Sequence, residues 1–522
     1  MSRIIQNLEI PIDQDLEEKL SQLVPNFGDY RILRKSVDAR RRHSPHFVYT
    51  IEISTSGKTL PRPQHPVEKI AHDGKELPIV IGSGPGGLFA ALRLIERGIP
   101  CRLFERGSRA EERIKGINRF WRYGEIDTRN NVCYGEGGAG LYSDGKLITR
   151  IKSPFIPYVL HRLVQFGAPE EIMFLANPHV GSDKIRRVIP KIRDYLTQNG
   201  CEMHYNTQVT KILTENQQTV GVETEYGKKF SSHHVILATG HSAEDILLHL
   251  KNDLNVDMEG KSFAMGLRIE HPQKLINQIQ FREFADHPKL GAANYRLAHH
   301  DVSTDIGVYS FCMCPGGYVL SSATDAKQIV CNGMSNFNRN SPYANAAIVV
   351  SIDHQKQFGS DLFGGLNMRR QLETSAFNSV QSANGGKALP SQSVSDFIVG
   401  RTSPKSLAGS SPSGAVPVRL DQLLPEFITK RIREGLAAFN DSMSGFITEQ
   451  AQLYGVESRT SCPIRVVRDD ITLQSTSHRG LYPCGEGAGY AGGITSAACD
   501  GIRIAESVAQ QLASQADAIL QA

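Results

Sequence analysis

Between residues 78 and 105 the hydrophobic positions change their period twice. A short apolar run at residues 79–81 is typical of a buried parallel strand, and a second run occupies residues 101–104. Between the two runs, apolar residues recur at helical spacing, at Leu88, Ala91, Leu92 and Ile95. The pattern predicts a strand, a helix and a second strand, the order of a βαβ unit with parallel strands.

The chain before this unit mixes the same two periods. Strand-like and helical patterns alternate through residues 4–53, and the proline-rich segment at residues 61–66 is typical of a linker. We therefore expect a small α+β domain at residues 1–60 and a linker at residues 61–77.

The chain after the βαβ unit changes character near residue 257. Before that point a helical pattern is followed by strand-like runs, and after it strand-like runs dominate. A short strand, a glycine-rich turn and a long helical pattern close the chain after residue 480. We expect a sheet-rich domain at residues 257–460, inserted into a domain formed by residues 78–256 and 461–522.

Three glycines open the predicted helix of the βαβ unit. Gly82, Gly84 and Gly87 form the sequence G-x-G-x-x-G, in which the first glycine permits a tight turn. The second lets the backbone approach a pyrophosphate, and the third lets helix and strand pack closely. Glu105 ends the second strand about 20 residues later, where a ribose-binding carboxylate is expected. The motif predicts a dinucleotide site.

Composition and charge narrow the class of protein. The 522 residues are 40% hydrophobic and 21% charged, as in a soluble chain of two or three domains. The sequence has no apolar run of membrane-spanning length and no secretory signal pattern, so we expect a cytoplasmic protein without stable membrane association. The nine cysteines are scattered and lack a C-x-x-C pair, which argues against a disulfide framework and a structural zinc site.

The densest positive charge lies in residues 34–43, which include Arg40, Arg41 and Arg42. Such a run binds RNA, phosphate or an acidic partner, or forms a solvated loop, and the solvated loop is the simpler interpretation. The net charge of +4 does not by itself indicate a nucleic-acid partner for the whole chain.

A second glycine cluster at residues 135–140 also fits G-x-G-x-x-G. The residues before it are polar rather than strand-like, so a second nucleotide fold is not expected. We interpret the cluster as a loop whose backbone lies against a flat ligand.

Three separate segments together resemble the FAD-binding architecture shared by glutathione reductase, p-hydroxybenzoate hydroxylase and their relatives. They are the motif at residues 82–105, the strand end Ala238-Thr239-Gly240, and Gly485-Glu486 before a glycine-started helix. The phrases at residues 136–146, 311–317 and 483–493 are similar to a group of bacterial FAD-dependent dehydrogenases without an assigned substrate. The resemblance implies an α/β fold, in which a three-layer, Rossmann-like FAD-binding domain carries the inserted sheet-rich α+β domain and the N-terminal α+β domain.

The resemblance also assigns roles to residues. It implies that Gly82, Gly84 and Gly87 hold the pyrophosphate, that Glu105 binds the adenosine ribose, and that the Val209 backbone faces the adenine. Glu486 takes the place of the family's aspartate near the ribityl chain and is one methylene longer. The expected cofactor-binding residues are Gly82, Gly84, Pro85, Gly87, Glu105, Arg106, Gly137, Gly138, Ala139, Gly140, Lys146, Val209, Ala238, Thr239, Gly240, Gly485, Glu486, Gly493 and Ile494.

Two features of the glutathione reductase branch are missing. No C-x4-C follows the first helix, and no second fingerprint is preceded by a strand, so disulfide reductase activity is not expected. NAD(P)H, if it is the electron donor, would bind transiently in the cleft, as in the hydroxylase branch.

Candidate catalytic residues lie beside the expected flavin. Cys312 and Cys314 form a C-x-C that is either a redox pair or two small buried residues. Lys146, which follows Ser143 and Asp144, either stabilises a reduced flavin or a substrate carboxylate, or is a turn residue.

Two further sets of charged residues admit both functional and structural interpretations. Arg268 and Glu270 share one face of a strand next to His271, and there an ion pair is favoured over acid–base work. Arg459 and Arg465 either bind an anionic substrate or belong to a connector.

The leading hypothesis is an FAD-dependent oxidoreductase that passes a hydride through flavin N5 to or from a small molecule in a cleft between the two large domains. The alternative is a flavoprotein that modifies tRNA or another RNA, which it grips with the basic N-terminal domain. A third hypothesis is that FAD has only a structural role. The substrate and the oligomeric state are not predicted.

Overall fold

The computed structural model describes residues 2–39, 44–55, 58–61, 64–71 and 76–521. Arg40, Arg41 and Arg42, on which the RNA alternative depends, lie outside the described residues.

The first four elements form a small antiparallel sheet covered by a helix. They are β1 (Ser2–Pro11), α1 (Leu16–Leu23), β2 (Asp29–Asp38) and β3 (His46–Ser54), with the strands in the order β1-β3-β2. Because side chains alternate along a strand, β3 points Phe47, Tyr49, Ile51 and Ile53 to one face, where they pack with Leu20 of α1. The strands and the helix predicted from the sequence are thus present.

A five-stranded parallel sheet forms the centre of the next part of the chain. Its strands are, in spatial order, β22 (Leu481–Pro483), β10 (Val235–Leu237), β4 (Ile79–Ile81), β5 (Cys101–Phe104) and β6 (Cys201–His204). The elements from Ile79 to Asn252 are β4 (Ile79–Ile81), α2 (Pro85–Glu96), β5 (Cys101–Phe104), α3 (Ala110–Tyr123), α4 (Ile156–Gln165), α5 (Ser182–Gln198), β6 (Cys201–His204), β7 (Val209–Glu215), β8 (Gln218–Thr224), β9 (Lys229–Ser231), β10 (Val235–Leu237) and α6 (Glu244–Asn252).

This parallel sheet lies between two hydrophobic cores. Val80 of β4 packs toward α2 and α5, whereas Ile79 and Ile81 pack on the opposite face toward α6 and the antiparallel strands β7, β8 and β9. Burial on both faces explains why the central strands are continuous apolar runs. The arrangement is an α/β fold, as predicted.

A seven-stranded sheet follows in the chain and has its own core. Its order is β13-β14-β17-β12-β20-β18-β19, and a two-stranded ribbon of β15 and β16 accompanies it. The elements from Met258 to Gln521 are β11 (Met258–Gly260), β12 (Phe263–Pro272), α7 (Gln273–Phe281), β13 (Ala298–Asp301), β14 (Ile306–Cys314), β15 (Gly317–Ser321), β16 (Cys331–Ser335), β17 (Tyr343–Ile352), α8 (His354–Phe358), α9 (Gly364–Ser382), β18 (Leu389–Ser393), α10 (Val394–Val399), β19 (Ala415–Pro417), α11 (Leu420–Leu423), α12 (Glu426–Ser442), β20 (Gln452–Glu457), β21 (Ile464–Val466), β22 (Leu481–Pro483) and α13 (Ile494–Gln521).

The end of the chain returns to the parallel sheet. Strand β22 adds to its edge beside β10, and α13 packs against α2. Within the described residues, no helix has both the length and the apolar character of a membrane span. The division of the chain into five segments stays a prediction. Strand β11, at the start of the segment predicted as an insertion, pairs with β21, which follows the end of that segment.

Candidate cofactor cavity

A cavity of about 380 Å³ lies at the carboxyl ends of the parallel strands. The residues that follow β4, β5, β10 and β22 form one side of it, and β14, β16 and β20 of the second part of the chain contribute to the other. Ligands bind at this edge in open α/β sheets, because the turns after the strands leave a crevice there.

Most of the residues predicted to bind the cofactor line this cavity. The predicted residues in its wall are Gly82, Gly84, Pro85, Glu105, Arg106, Gly138, Ala139, Gly140, Lys146, Val209, Ala238, Thr239, Gly240, Cys312, Gly485, Glu486, Gly493 and Ile494.

Three predicted residues lie behind the wall. A Cβ atom on Gly87 would come within 3.0 Å of the Gly82 carbonyl oxygen, so Gly87 serves the contact between helix and strand. Gly137 donates its N–H to the Ser83 carbonyl at 2.9 Å, and Cys314 is fully buried behind Cys312. These three residues shape the wall without forming its surface.

The turn from β4 to α2 presents backbone groups to the cavity. Gly82 has a φ of +100°, which L side chains rarely adopt, and this conformation turns the chain sharply into the helix. Gly84 is the N-cap of α2 and provides no side-chain acceptor, so the first N–H groups of the helix remain available to an anion. This end of the cavity therefore suits a phosphate group.

Glu105 holds two loops together beside this turn. One carboxylate oxygen accepts hydrogen bonds from the Ser83 N–H and hydroxyl at 3.0 and 2.8 Å. The other accepts from the N–H groups of Gly107 and Gly135 at 2.9 and 3.0 Å. Protein donors thus occupy the roughly four acceptor positions of the carboxylate, and binding of ribose by Glu105 stays a prediction.

The loop after β22 carries a second carboxylate. Glu486 lies 3.2 Å from Nδ1 of His241, which follows the predicted Ala238-Thr239-Gly240 segment. The Gly485 N–H donates to Asp500 at 2.8 Å, and Asp500 is held by Arg468 at 2.6 Å. Sequence reasoning missed His241 and Asp500, although the position of His241 directly after the strand end could have indicated it.

Helix α13 also begins at the cavity. Gly492 and Gly493 precede its first residue, Ile494, and no atom lies within 4 Å of a Cβ placed on either glycine. The loop at residues 138–140 approaches both helices, because Gly138 contacts Gly84 and Gly140 contacts Ile494. The N-termini of α2 and α13 therefore border one cavity.

Lys146 contributes a cation that the cavity reaches. Its side chain is 31% exposed, and its ammonium lies 2.9 Å from the fully buried Asp144. Arg339 binds the same carboxylate at 2.7 Å. Burial raises the pKa of Asp144, but Lys146 and Arg339 outweigh it and hold the pKa below its usual value. Asp144 is therefore an anion that anchors Lys146.

Cys312 lines the cavity next to Lys146. A hydrogen bond from Cys314 lowers the pKa of Cys312 to about 6, with help from Lys146 and Arg268 and against the effect of burial. The pKa of Cys314 is raised, chiefly by its hydrogen bond to Cys312 and by burial. Both cysteines are free thiols, one with a lowered pKa and the other with a raised pKa.

The expected pairing of Arg268 with Glu270 is wrong. Arg268 is fully buried and binds Glu457 through Nε at 2.8 Å, whereas Glu270 accepts a hydrogen bond from Tyr454 at 2.8 Å. The two side chains share a face, but neighbouring strands offer each of them a closer partner. Glu457 lines the cavity, so this ion pair supports its wall.

The two arginines considered as substrate anchors are engaged elsewhere. Arg459 lines the cavity, but its guanidinium donates to Glu373, Ser242, Thr324 and Gln328, and its pairing with Glu373 at 2.8 Å is buried. Arg465 pairs with Glu259 at 2.9 Å away from the cavity wall. The connector interpretation fits both residues.

The chain is similar to several known proteins. Residues 262–460 match the family described as FAD-dependent protein, C-terminal domain-like. A Clostridium beijerinckii protein described as an uncharacterized protein is 36% identical over 530 residues, which cover 97% of this chain and 98% of that protein.

Solved structures with similarity to the chain include two FAD complexes. A mutant of the halogenase PltM in complex with FAD is 10% identical, with a TM-score of 0.38 over 85% of this chain and 70% of that one. CtdE in complex with FAD is 11% identical, with a TM-score of 0.31 over 86% and 94% of the two chains. L-amino acid deaminase from Proteus myxofaciens is 15% identical, with a TM-score of 0.24 over 40% and 54%. Because the two are 36% identical over almost their full lengths, the chain belongs to the same family as the Clostridium beijerinckii protein.

Proposed function

We propose that this protein is an FAD-dependent oxidoreductase that transfers a hydride between the cofactor and a small molecule. One observation carries the proposal: a single cavity is bordered by the N-termini of two helices, α2 and α13, and by glycine backbones. Helix N-termini favour negative charge. A dinucleotide with a central pyrophosphate and an electron-accepting ring, both of which carry or develop negative charge, matches this arrangement.

The residues present fit FAD. A Cβ on Gly240, Gly492 or Gly493 would meet no atom within 4 Å, and one on Gly84 would meet only Gly138 at 3.9 Å. The glycines thus leave open space next to backbone groups that can bind a ligand closely. Side chains at the same positions would fill this space.

Different residues of the chain would bind different parts of FAD. The turn at Gly82 and the start of α2 after Gly84 would bring the free N–H groups of the helix toward a pyrophosphate. Glu105 holds the adjacent loops in place through Ser83 and Gly135. Glu486, positioned by His241, offers a carboxylate oxygen to a hydroxyl of the bound molecule. Gly493 and Ile494 bring the positive end of α13 to the cavity, where it would favour negative charge on the ring.

Bound FAD would supply two-electron chemistry at its ring. Lys146 would then stabilise negative charge near the ring or on a substrate, because Asp144 holds its ammonium at the cavity wall. Burial would lower the pKa of Lys146, but the neighbouring anionic groups raise it, so the residue stays protonated at neutral pH. We propose a nicotinamide dinucleotide as a transient electron donor in the same cleft.

The test begins with the purified protein. We expect a visible flavin spectrum and about one FAD released per chain on denaturation. Anaerobic mixing with NADH and with NADPH should then reduce the flavin, and reoxidation by candidate small molecules should identify the acceptor class. A colourless protein that does not bind added FAD would refute the proposal, and a flavin that only dithionite reduces would refute the nicotinamide donor.

A further inference from the structure

A β-bulge in strand β14 exposes a cysteine to the cavity. Its pairing with β17 shifts register between Phe311 and Cys314, and Cys312 within this bulge has a φ of +43°. Bulges redirect side chains, and a strained φ at a residue other than glycine occurs most often at functional sites. The bulge leaves Cys312 half-buried on the cavity wall while Cys314 is fully buried behind it.

Positive charge surrounds the two sulfurs. The ammonium of Lys146 donates to the carbonyl of Met313, the residue between the cysteines. Nη1 of Arg268 approaches the Cys312 carbonyl at 3.5 Å. Two anions face these cations: Asp144 pairs with Lys146 and Arg339, and Glu457 pairs with Arg268, so the three cations exceed the anions by one. This surplus of positive charge favours a thiolate over a thiol at Cys312.

The two cysteines are in direct contact. The Cys314 thiol lies 3.3 Å from the Cys312 carbonyl oxygen, and Cys314 is also the main cause of the lowered pKa of Cys312. One accessible sulfur with a low pKa and one buried sulfur with a raised pKa are the two parts that thiol–disulfide exchange requires.

We propose that Cys312 and Cys314 form a redox-active dithiol that exchanges an electron pair with bound FAD, with Lys146 as the counter-ion of Cys312. This inference rests on the proposed function, because FAD is the electron partner. When the dithiol is oxidised, an Sγ–Sγ bond forms, the remaining thiol protons leave and two electrons pass to FAD. In the reverse direction the bond breaks, and each sulfur regains an electron and a proton according to its pKa.

The experiment counts electrons and thiols in the FAD-bound protein. After oxidation with diamide and desalting, anaerobic titration with dithionite should consume about four electrons per FAD, two for the flavin and two for the disulfide. Alkylation of the oxidised, denatured protein should label two cysteines fewer than the nine present, and peptide mass spectrometry should locate the bond between Cys312 and Cys314. Cys314→Ala and Cys312→Ser should each consume about two electrons per FAD.

A matched control uses another close pair of thiols. Sγ of Cys101 lies 3.6 Å from Sγ of Cys201 on neighbouring strands, outside the cavity wall. Cys101→Ala should retain the four-electron titration. A disulfide found between Cys101 and Cys201 instead, or two electrons per FAD with all cysteines labelled, would overturn the inference. Absence of FAD would overturn the proposed function, which the flavin spectrum distinguishes before the titration begins.

The role of Lys146 has a separate readout. Lys146→Met removes the cation that stabilises the reduced, thiolate form, so the disulfide should become harder to reduce. Thiol counting in dithiothreitol redox buffers should therefore give a midpoint at a more reducing potential, and Lys146→Arg should restore it. An unchanged midpoint in Lys146→Met would show that Lys146 is not the counter-ion.

Discussion

Glycines in the turn between β4 and α2 act in two different ways. A Cβ on Gly87 would overlap the Gly82 carbonyl oxygen inside the protein, whereas a Cβ on Gly84 would point toward the cavity with its nearest neighbour at 3.9 Å. Gly84 also has an ordinary φ of −72°. One glycine therefore serves folding, and the other leaves space for a ligand.

Alanine substitutions should separate these two roles. Gly87→Ala should lower the free energy of unfolding by about 2 kcal/mol, because overpacking against backbone outweighs the gain in helix propensity. Gly84→Ala should leave the unfolding of the FAD-free protein unchanged but weaken FAD binding by at least about tenfold. Denaturant unfolding and FAD titration measure the two effects. Equal loss of stability in both variants would contradict this division of roles.

A buried histidine should make stability depend on pH. His271 of β12 donates from Nε2 to the Phe446 carbonyl at 2.8 Å, and burial lowers its pKa to about 4. The unfolded chain binds this proton at a higher pH than the folded chain does, so the stabilisation is present above the unfolded pKa of about 6.5 and is lost as the pH falls toward 4. Between pH 7 and pH 5 the loss from this residue should be about 2 kcal/mol.

His271→Gln tests this pH dependence because an amide can donate to Phe446 but does not titrate. Its free energy of unfolding should fall less than that of the wild type between pH 7 and pH 5. His300→Gln, at a position with an exposed side chain, should follow the wild-type curve. Parallel curves for the wild type and His271→Gln would show that His271 is not the titrating group.

At the scale of elements, α2 and α13 meet through glycine. A Cβ on Gly501 of α13 would come within 3.0 Å of the Gly86 carbonyl oxygen of α2. This close approach determines where both helices begin relative to the cavity, since Gly84 precedes one and Gly493 precedes the other.

Gly501→Ala should therefore destabilise the protein despite the better helix propensity of alanine. Propensity alone favours the change by up to about 1 kcal/mol, but the helices must separate, and we expect a net loss of about 2 kcal/mol in the free energy of unfolding. As a control, Ser514→Ala on the exposed surface of the same helix changes helix propensity without affecting the contact between α2 and α13. Thermal or denaturant unfolding that ranks Gly501→Ala at or above the wild type would refute the contact.

The sequence predicts strands in the correct parts of the chain, but it does not give all of the residues at which they begin and end. The strand-like runs after residue 257 do not give the start of β16, which begins at Cys331 because its pairing with β15 begins there. The bulge in β14 gives no signal in the apolar pattern, since it depends on a shift in pairing with β17.

At the scale of the whole molecule, the cavity assembles segments that are far apart in the chain. Residues after Ile81, Leu237 and Pro483 come together because parallel strands place their carboxyl ends at one edge. No residue before Ile81 is among those that line the cavity in the described part of the chain. The described strands of the N-terminal sheet therefore do not line the cavity, and an RNA substrate stays a prediction.

The sequence by itself determined the parts of this protein that depend on local chemistry. Glycine spacing, buried strand runs and helical periodicity are local properties, so the turn at Gly82, the parallel strands and the start of α13 could be predicted. The family resemblance added the distant residues Gly240 and Glu486.

Only the tertiary structure decided which charged groups meet. Arg268 pairs with Glu457 rather than Glu270, Arg459 is occupied by Glu373, and Glu105 is enclosed by backbone N–H groups. The tertiary structure also brings Lys146 next to Cys312. Side-chain pairing depends on strand register and on distances between remote segments, which the order of residues does not contain.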